Sequence, residues 1–319
     1  MTYIIIHALA PIFVIMLLGF YAGKAKMVDN KNVALLNVFV MDFALPAALF
    51  SATVKTPWLG IVQQSPLIVV LVVSMWVGWF AIYFTATRLF HKSPQDAAVL
   101  TLTVSLPNYA ALGLPILGSV LGEGPLTSLS VAVSIACGSV LLTPFCLLIL
   151  EREKALAAGN SQQSGIGMLP ILMWRSVTKP IVWGPLLGVV LSGLGIGMPE
   201  IVLAAIKPLG LAATAAALFL TGVILSARRL SINGAVILGS ITKLLIQPLI
   251  AWGVVLALGL HGQVAITAIL MIALSAGFFG VVFGNRFGVQ SPDAEAVLLI
   301  TSLLCILSLP LFITLTSGM

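Results

Sequence analysis

Charge is what this chain has least of. Only 8% of its 319 residues are Asp, Glu, Lys or Arg, with nine acids against fifteen bases. A soluble domain carries roughly 25%, so a water-exposed globular surface is excluded. Cysteine is almost as scarce. Cys137, Cys146 and Cys305 all fall inside apolar runs, which excludes a disulfide framework and a metal-ligand spacing and leaves them as small core hydrophobes. No HExxH, Walker or GxSxG sequence and no Cys/His cluster occurs, so the chain displays no catalytic constellation. The basic balance comes without a basic cluster or interleaved aromatics. It suits loops facing anionic lipid and not nucleic acid. The first apolar run follows Met1 and Thr2 directly, with Lys24 and Lys26 behind it, so it is expected to be a retained helix and not a leader.

What the chain has is apolar length: 60% hydrophobic residues and a mean hydropathy of +1.19. A membrane crossing needs about 20 apolar residues. Glycine, proline and charge divide the sequence into ten such runs, near 3–22, 33–53, 66–87, 96–121, 126–150, 180–197, 201–226, 233–259, 264–285 and 293–316. The expected fold is an all-α polytopic membrane protein with ten transmembrane helices. Placing the N-terminus outside puts twelve basic residues on the cytoplasmic side and leaves only Lys55 and Lys207 on the other. The positive-inside bias therefore puts both termini outside the cytoplasm.

The runs repeat in order. Pro11 and Gly19 in the first run are echoed by Pro185 and Gly193 in the sixth. "PAALF" (46–50) is echoed by "AAALF" (215–219), and Pro144 by Pro310, at offsets of 174, 169 and 166. Five spans per unit is an odd number, so the second unit enters the membrane inverted. Residues 1–150 form the first repeat, 151–179 a cytoplasmic linker, and 180–319 the second repeat.

Two runs are broken at their centres. "LTVSLPNYAALGLPILGSV" (102–120) places Pro107, Asn108, Tyr109, Gly113 and Pro115 where a helix should be continuous. Its counterpart in the ninth run places Ser275, Ala276, Gly277 and Gly280 there. Proline removes a donor and disfavours helix geometry in the residue before it. A broken helix presents unpaired N–H groups and a positive dipole end that favour an anion. Irregular backbone at that depth is tolerated only inside protein or beside a cavity. Matching breaks in inverted halves mark a substrate site near the midplane. Pro107, Asn108, Tyr109, Ser275, Ala276 and Gly277 are its candidate residues, with Gly113, Pro115 and Gly280 supporting the breaks. Tyr109 either offers a hydroxyl or packs.

Two charges sit at similar depth, Asp42 in the second run and Lys243 in the eighth, about 14 Å in at 1.5 Å per residue. A charge there costs at least about 2.5–3.5 kcal/mol. Either the two form an ion pair or snorkel, or they serve transport. In the second reading Lys243 belongs to the positive surround of an anion, and Asp42 is a proton-sensitive or cation-coordinating carboxylate. Gln247 lies one turn beyond Lys243 on the same face.

Three stretches, "MDFALPAALFSATV", "SPQDAAVLTLTVSLPNYAALGLPILGSVLG" and "ALSAGFFGVVFGNRFGVQSPDAEA", carry a resemblance that extends over essentially the whole chain. It resembles the auxin efflux carrier family, and within it bacterial malonate carriers. The resemblance implies two inverted five-helix repeats with broken crossover helices four and nine. It also implies a scaffold of helices 1, 2, 6 and 7 beside an elevator-like transport domain of helices 3–5 and 8–10, and homodimers through the scaffold. Its implied activity is secondary transport of malonate across the bacterial cytoplasmic membrane. No cofactor is expected, and a dianion accumulated against a negative-inside potential calls for co-transported H⁺ or Na⁺. The alternative is another organic anion or hydrophobic acid, auxin-like or bile-acid-like. Plant auxin carriers have Asn-Pro-Asn at the first break, where this chain has Leu106, Pro107 and Asn108. They have prolines near Ser275 and Gly280. Auxin itself is therefore disfavoured, and the short linker leaves no large regulatory loop.

Overall fold

The computed structural model describes residues 2–30, 32–55, 58–157, 170–171, 174, 178–227 and 232–318. The cytoplasmic linker expected at 151–179 lies largely outside them. All named elements among the described residues are helices, as the bilayer requires when water cannot satisfy backbone groups. In chain order they are α1 (Thr2–Lys24), α2 (Ala34–Val38), α3 (Leu45–Thr53), α4 (Trp58–Val62), α5 (Ser65–Arg88), α6 (Pro94–Ser105), α7 (Leu114–Leu121) and α8 (Pro125–Cys137). They continue with α9 (Thr143–Ala157), α10 (Pro180–Gly193), α11 (Glu200–Ser226), α12 (Gly234–Ile241), α13 (Gln247–Ala257), α14 (Gly262–Ala273), α15 (Phe279–Arg286) and α16 (Pro292–Thr316).

Among the described residues, six helical stretches are long and apolar enough to cross a membrane, and four shorter apolar helices accompany them. Two of the four, 109–121 and 262–273, are short because the chain is broken beside them. Where the sequence led to ten spans, the described residues show six of full length, with shorter apolar helices in the remaining runs.

Among the described residues, four π-helical segments interrupt the α geometry: Phe39–Ala44, Tyr109–Gly113, Gly138–Leu142 and Thr242–Ile246. Each ends two residues before a proline, at Pro46, Pro115, Pro144 and Pro248. The proline ring clashes with the carbonyl four residues back and cannot donate to it. Widening the preceding turn relieves that clash, and the extra residue rotates the side chains ahead of it. Such bulges gather at functional sites. Asp42 and Lys243 each ride on one.

The helices pack in two groups. In the first, α1 lies along α11, and α3 lies between α10 and α11. The α1–α11 approach depends on glycine, because a Cβ on Gly222 would run into the Met16 carbonyl and come within 2.8 Å of the Phe20 nitrogen. Backbones this close supply the dispersion contact that holds helices together in lipid. The Thr53 hydroxyl ties α3 to α10 through the Pro185 carbonyl at 3.1 Å. In the second group α5, α9, α15 and α16 surround α6, while α13 and α16 flank α14. α8 bridges the groups, packing on α3 and α10 on one side and α5 and α7 on the other.

Candidate functional site

The two breaks meet. Pro107 and Ala276 form an antiparallel bridge at the crossing. The Asn108 N–H donates to the Ser275 carbonyl at 2.9 Å, and the Gly277 N–H donates to the carbonyls of Leu106 at 2.7 Å and Thr103 at 3.1 Å. The Ala276 N–H donates to the Thr301 hydroxyl of α16 at 3.1 Å. Each break thus satisfies backbone groups that the other exposes. The approach leaves no room for a side chain. A Cβ on Gly280 would strike Thr103 and come within 2.7 Å of its nitrogen. Gly113, at the end of its π segment, faces Val131 and Met271, where a Cβ would have 3.0 Å and 3.3 Å.

Both broken helices also end in carbonyls, with negative dipole ends. These are already answered. Lys243 is fully buried, and its ammonium donates to the Ile272 carbonyl at the end of α14 (3.1 Å) and to Gln247 Oε1 (2.9 Å). Gln247 Nε2 in turn donates to the Ser105 carbonyl at the end of α6 at 3.3 Å. One Lys–Gln pair thereby ties together the carbonyl ends of both arms. The N–H ends, at the starts of the Tyr109–Gly113 segment and of α15, have no acidic side chain in their first turns. An ammonium has three donors, and two are used.

Beside those N–H ends sits Asn108, 2% exposed, with neither amide atom hydrogen-bonded to protein. The hydroxyls of Ser275, Ser105 and Thr101 are likewise buried without a partner. Burying an unpaired amide costs about 1–3 kcal/mol. Tyr109 turns elsewhere. Its hydroxyl contacts Met75 Sδ at 3.6 Å, so the packing alternative holds in this structure.

Asp42 stands apart. It is exposed, and it forms no ion pair among the described residues. The ion pair expected as an alternative for Asp42 and Lys243 does not form: Lys243 is buried against α14, whereas Asp42, on a different π segment, is exposed.

A cavity of about 1080 Å³ separates the two helix groups. It lies where the α3–α4, α7–α8 and α10–α11 connections gather and reaches Leu114 and Pro115, six residues from Asn108. Lys55 and Lys207 both line it, together with Glu123 and Glu200. The charge pattern counted Lys55 and Lys207 on the outer side of the membrane; Lys207 belongs to α11, whose first residue is Glu200. Sequence reading also missed Thr301 and Thr103. Their signal was a hydroxyl at mid-span opposite a break, too common in membrane helices to stand out.

The family described as membrane transport protein, that of the auxin efflux carriers, matches residues 4–313. This chain belongs to that family. Within it, the chain is 26% identical to an uncharacterized transporter, YfdV, of Escherichia coli (strain K12), over 96% of this chain and 95% of that one. It is 27% identical to a protein of Rhizobium meliloti (strain 1021) provisionally named a malonate transporter, over 93% of this chain and 91% of that one. An uncharacterized transporter of Methanothermobacter thermautotrophicus is 23% identical, over 94% and 95%. Membership in a transporter family gives the crossing a context, that of a multi-pass carrier and not an enzyme.

Proposed function

We propose that this membrane transport protein carries a small organic dianion, most simply malonate, bound where the two helix breaks cross. One observation supports the reading above the others. The orphaned Asn108 amide lies at the crossing, where the carbonyl ends of the two preceding arms, at Ile272 and Ser105, are already held by Lys243 and Gln247, while the N–H ends that follow the breaks face no acidic side chain in their first turns. The two N-termini contribute about half a positive charge each, and the Lys243 ammonium supplies the balance for a second carboxylate. In this reading the first helix group is the scaffold and the second slides past it in an elevator-like manner. Copies pair through their scaffolds. The 1080 Å³ cavity is the external approach, with Lys55 and Lys207 at its rim. The termini lie outside the cytoplasm of a bacterial inner membrane.

A dianion entering against a negative-inside potential is opposed by about 2.3 kcal/mol per charge per 100 mV. Accumulation therefore requires cation coupling, by H⁺ or Na⁺. Asp42, at membrane depth, is the carboxylate proposed to take part. Asp42→Asn retaining full gradient-driven accumulation removes it from that role.

The second reading, a larger hydrophobic acid, draws on the cavity, whose volume exceeds what malonate fills and whose wall includes Ile15, Leu203, Leu211 and Leu218. Counterflow of labelled malonate in proteoliposomes separates the two. Exchange driven by malonate and lost in Asn108→Ala supports the dianion. Exchange absent with malonate but present with an aromatic or sterol-like acid supports the larger substrate.

A further inference from the structure

Three helices of the second group start together at the membrane face opposite the cavity. α6 is capped by the Ser93 hydroxyl on the Asp96 N–H (3.2 Å), α12 by the Asn233 side chain on the Val236 N–H (3.0 Å), and α16 by the Ser291 hydroxyl on the Ala294 N–H (3.4 Å). A second layer of contacts joins these caps to one another. The Lys92 ammonium bridges Asp96 Oδ2 at 3.0 Å and Asp293 Oδ2 at 2.6 Å. The Ser291 hydroxyl donates to Asp96 Oδ1 across the α6–α16 gap, and Asn233 Nδ2 donates to Asp293 Oδ1 at 2.8 Å. All four carboxylate oxygens are engaged. The side chains of Lys92, Asp96 and Asp293 are only 16%, 22% and 8% exposed. Isolated surface ion pairs contribute little, but partly buried networks with fixed geometry hold their partners.

The same three helices hold up the crossing. α6 carries the first arm and ends at Ser105, twelve residues past its cap. α12 leads into Lys243, ten residues past Asn233, which holds the Ile272 carbonyl. α16 carries Thr301, ten residues past Ser291, which holds the Ala276 N–H. At 1.5 Å per residue these groups lie about 15–18 Å from the caps. A slip of one residue along any axis moves its group about 1.5 Å and takes a hydrogen bond of 3.1 Å outside bonding range.

We infer that Lys92, Asp96 and Asp293 form a register lock, positioning the substrate site from the membrane surface by fixing the axial heights of the helices that build it. The inference rests on the crossing being the substrate site. These are positioning residues and do not touch substrate. Burial opposes the charge on Lys92, but hydrogen bonds with Asp293 and Asp96 outweigh it and hold its pKa above the ordinary lysine value. The contribution of its charge is therefore complete below about pH 10.5 and declines only as pH rises through the raised value.

The test compares Asp293→Asn and Lys92→Gln with wild type in two measurements, so that the lock and the substrate reading fail separately. The first is amide exchange of the segment 274–281 in ligand-free, detergent-solubilised protein, at matched pH. The lock predicts exchange about tenfold faster there in both variants, with partial restoration in Lys92→Arg, a loss of protection corresponding to the tenfold scale of one network contact. The second is the malonate dissociation constant, expected to weaken about tenfold in parallel. Faster exchange confined to residues 88–97 and 289–296, with 274–281 unchanged, overturns the lock and leaves a local staple. Wild-type protein that ignores malonate defeats the substrate reading, while the exchange measurement still decides the lock. If Asp293→Asn does not fold, Lys92→Gln, which keeps both carboxylates and their Ser291 and Asn233 donors, carries both measurements.

Discussion

Asn108 spends its ligand-free state with a buried amide that protein leaves unpaired. Removing such a group is expected to stabilise the protein and end its function together. Asn108→Leu, close in volume and apolar, should raise the melting temperature of the ligand-free protein, since an unpaired buried polar group costs about 1–3 kcal/mol. It should also abolish the additional stabilisation by malonate. A variant that melts lower yet still responds to malonate would refute the assignment. Lys243 is expected to behave oppositely. Lys243→Met leaves the Ile272 carbonyl and Gln247 Oε1 buried without a donor, so the melting temperature should fall by several degrees. Lys243→Gln still offers an amide to Ile272, and should fold while losing dicarboxylate transport more than monocarboxylate transport. Equal loss of both in proteoliposome uptake would confine Lys243 to its structural contacts. Asp42→Asn has no bearing on either variant, because the two residues are not paired.

At the scale of elements, the breaks are legible in the chain because Pro107 and Gly277 violate helix chemistry locally. The way they are satisfied is not, because it depends on pairs such as Asn108–Ser275 and Leu106–Gly277, about 170 positions apart in sequence. Gly280 illustrates the division. Its weakness as a helix former is visible in "SAGFFG", whereas the reason for it is the backbone of α6 at Val99 and Thr103. Gly280→Ala should push α15 off α6 and lower both melting temperature and uptake, at an overpacking cost of about 1–3 kcal/mol. Gly118→Ala, where a Cβ finds only the Glu123 side chain at 3.4 Å, should be tolerated. Equal melting of the two variants would contradict the tight crossing. The π segments divide in the same way. Pro46, Pro115, Pro144 and Pro248 announce a disturbance one turn ahead, but Pro185 and Pro310 sit inside α-helices without one. Whether the turn widens is decided by what packs against it.

For the whole molecule, orientation is argued from charge alone. Ala25 lies in a lysine-bearing connection and Ser317 near the C-terminus, an odd number of expected crossings apart, and both are exposed. The three native cysteines are buried and should give little background. Single cysteines at Ala25 and Ser317 should therefore react with an impermeant maleimide from opposite sides of intact cells, Ser317 from outside. Labelling of both from one side would overturn the ten-crossing topology. Cavity, crossing and register lock would then need reassignment between membrane faces, although their internal geometry would stand.

The sequence by itself determined that this chain lives in a bilayer and where its helices break, and it predicts which side faces the cytoplasm. These follow from composition, local backbone chemistry and the cost of moving lysine and arginine across lipid, none of which needs a partner residue. Only the tertiary structure decided what the exceptional residues do. It put Lys243 on a helix-end carbonyl and not on Asp42, turned Tyr109 toward Met75, and left the Asn108 amide unpaired. It also gathered Lys92, Asp96 and Asp293 from two ends of the chain. The physical reason is that a polar group in a membrane protein takes its role from the partner that satisfies it, and long-range packing supplies that partner.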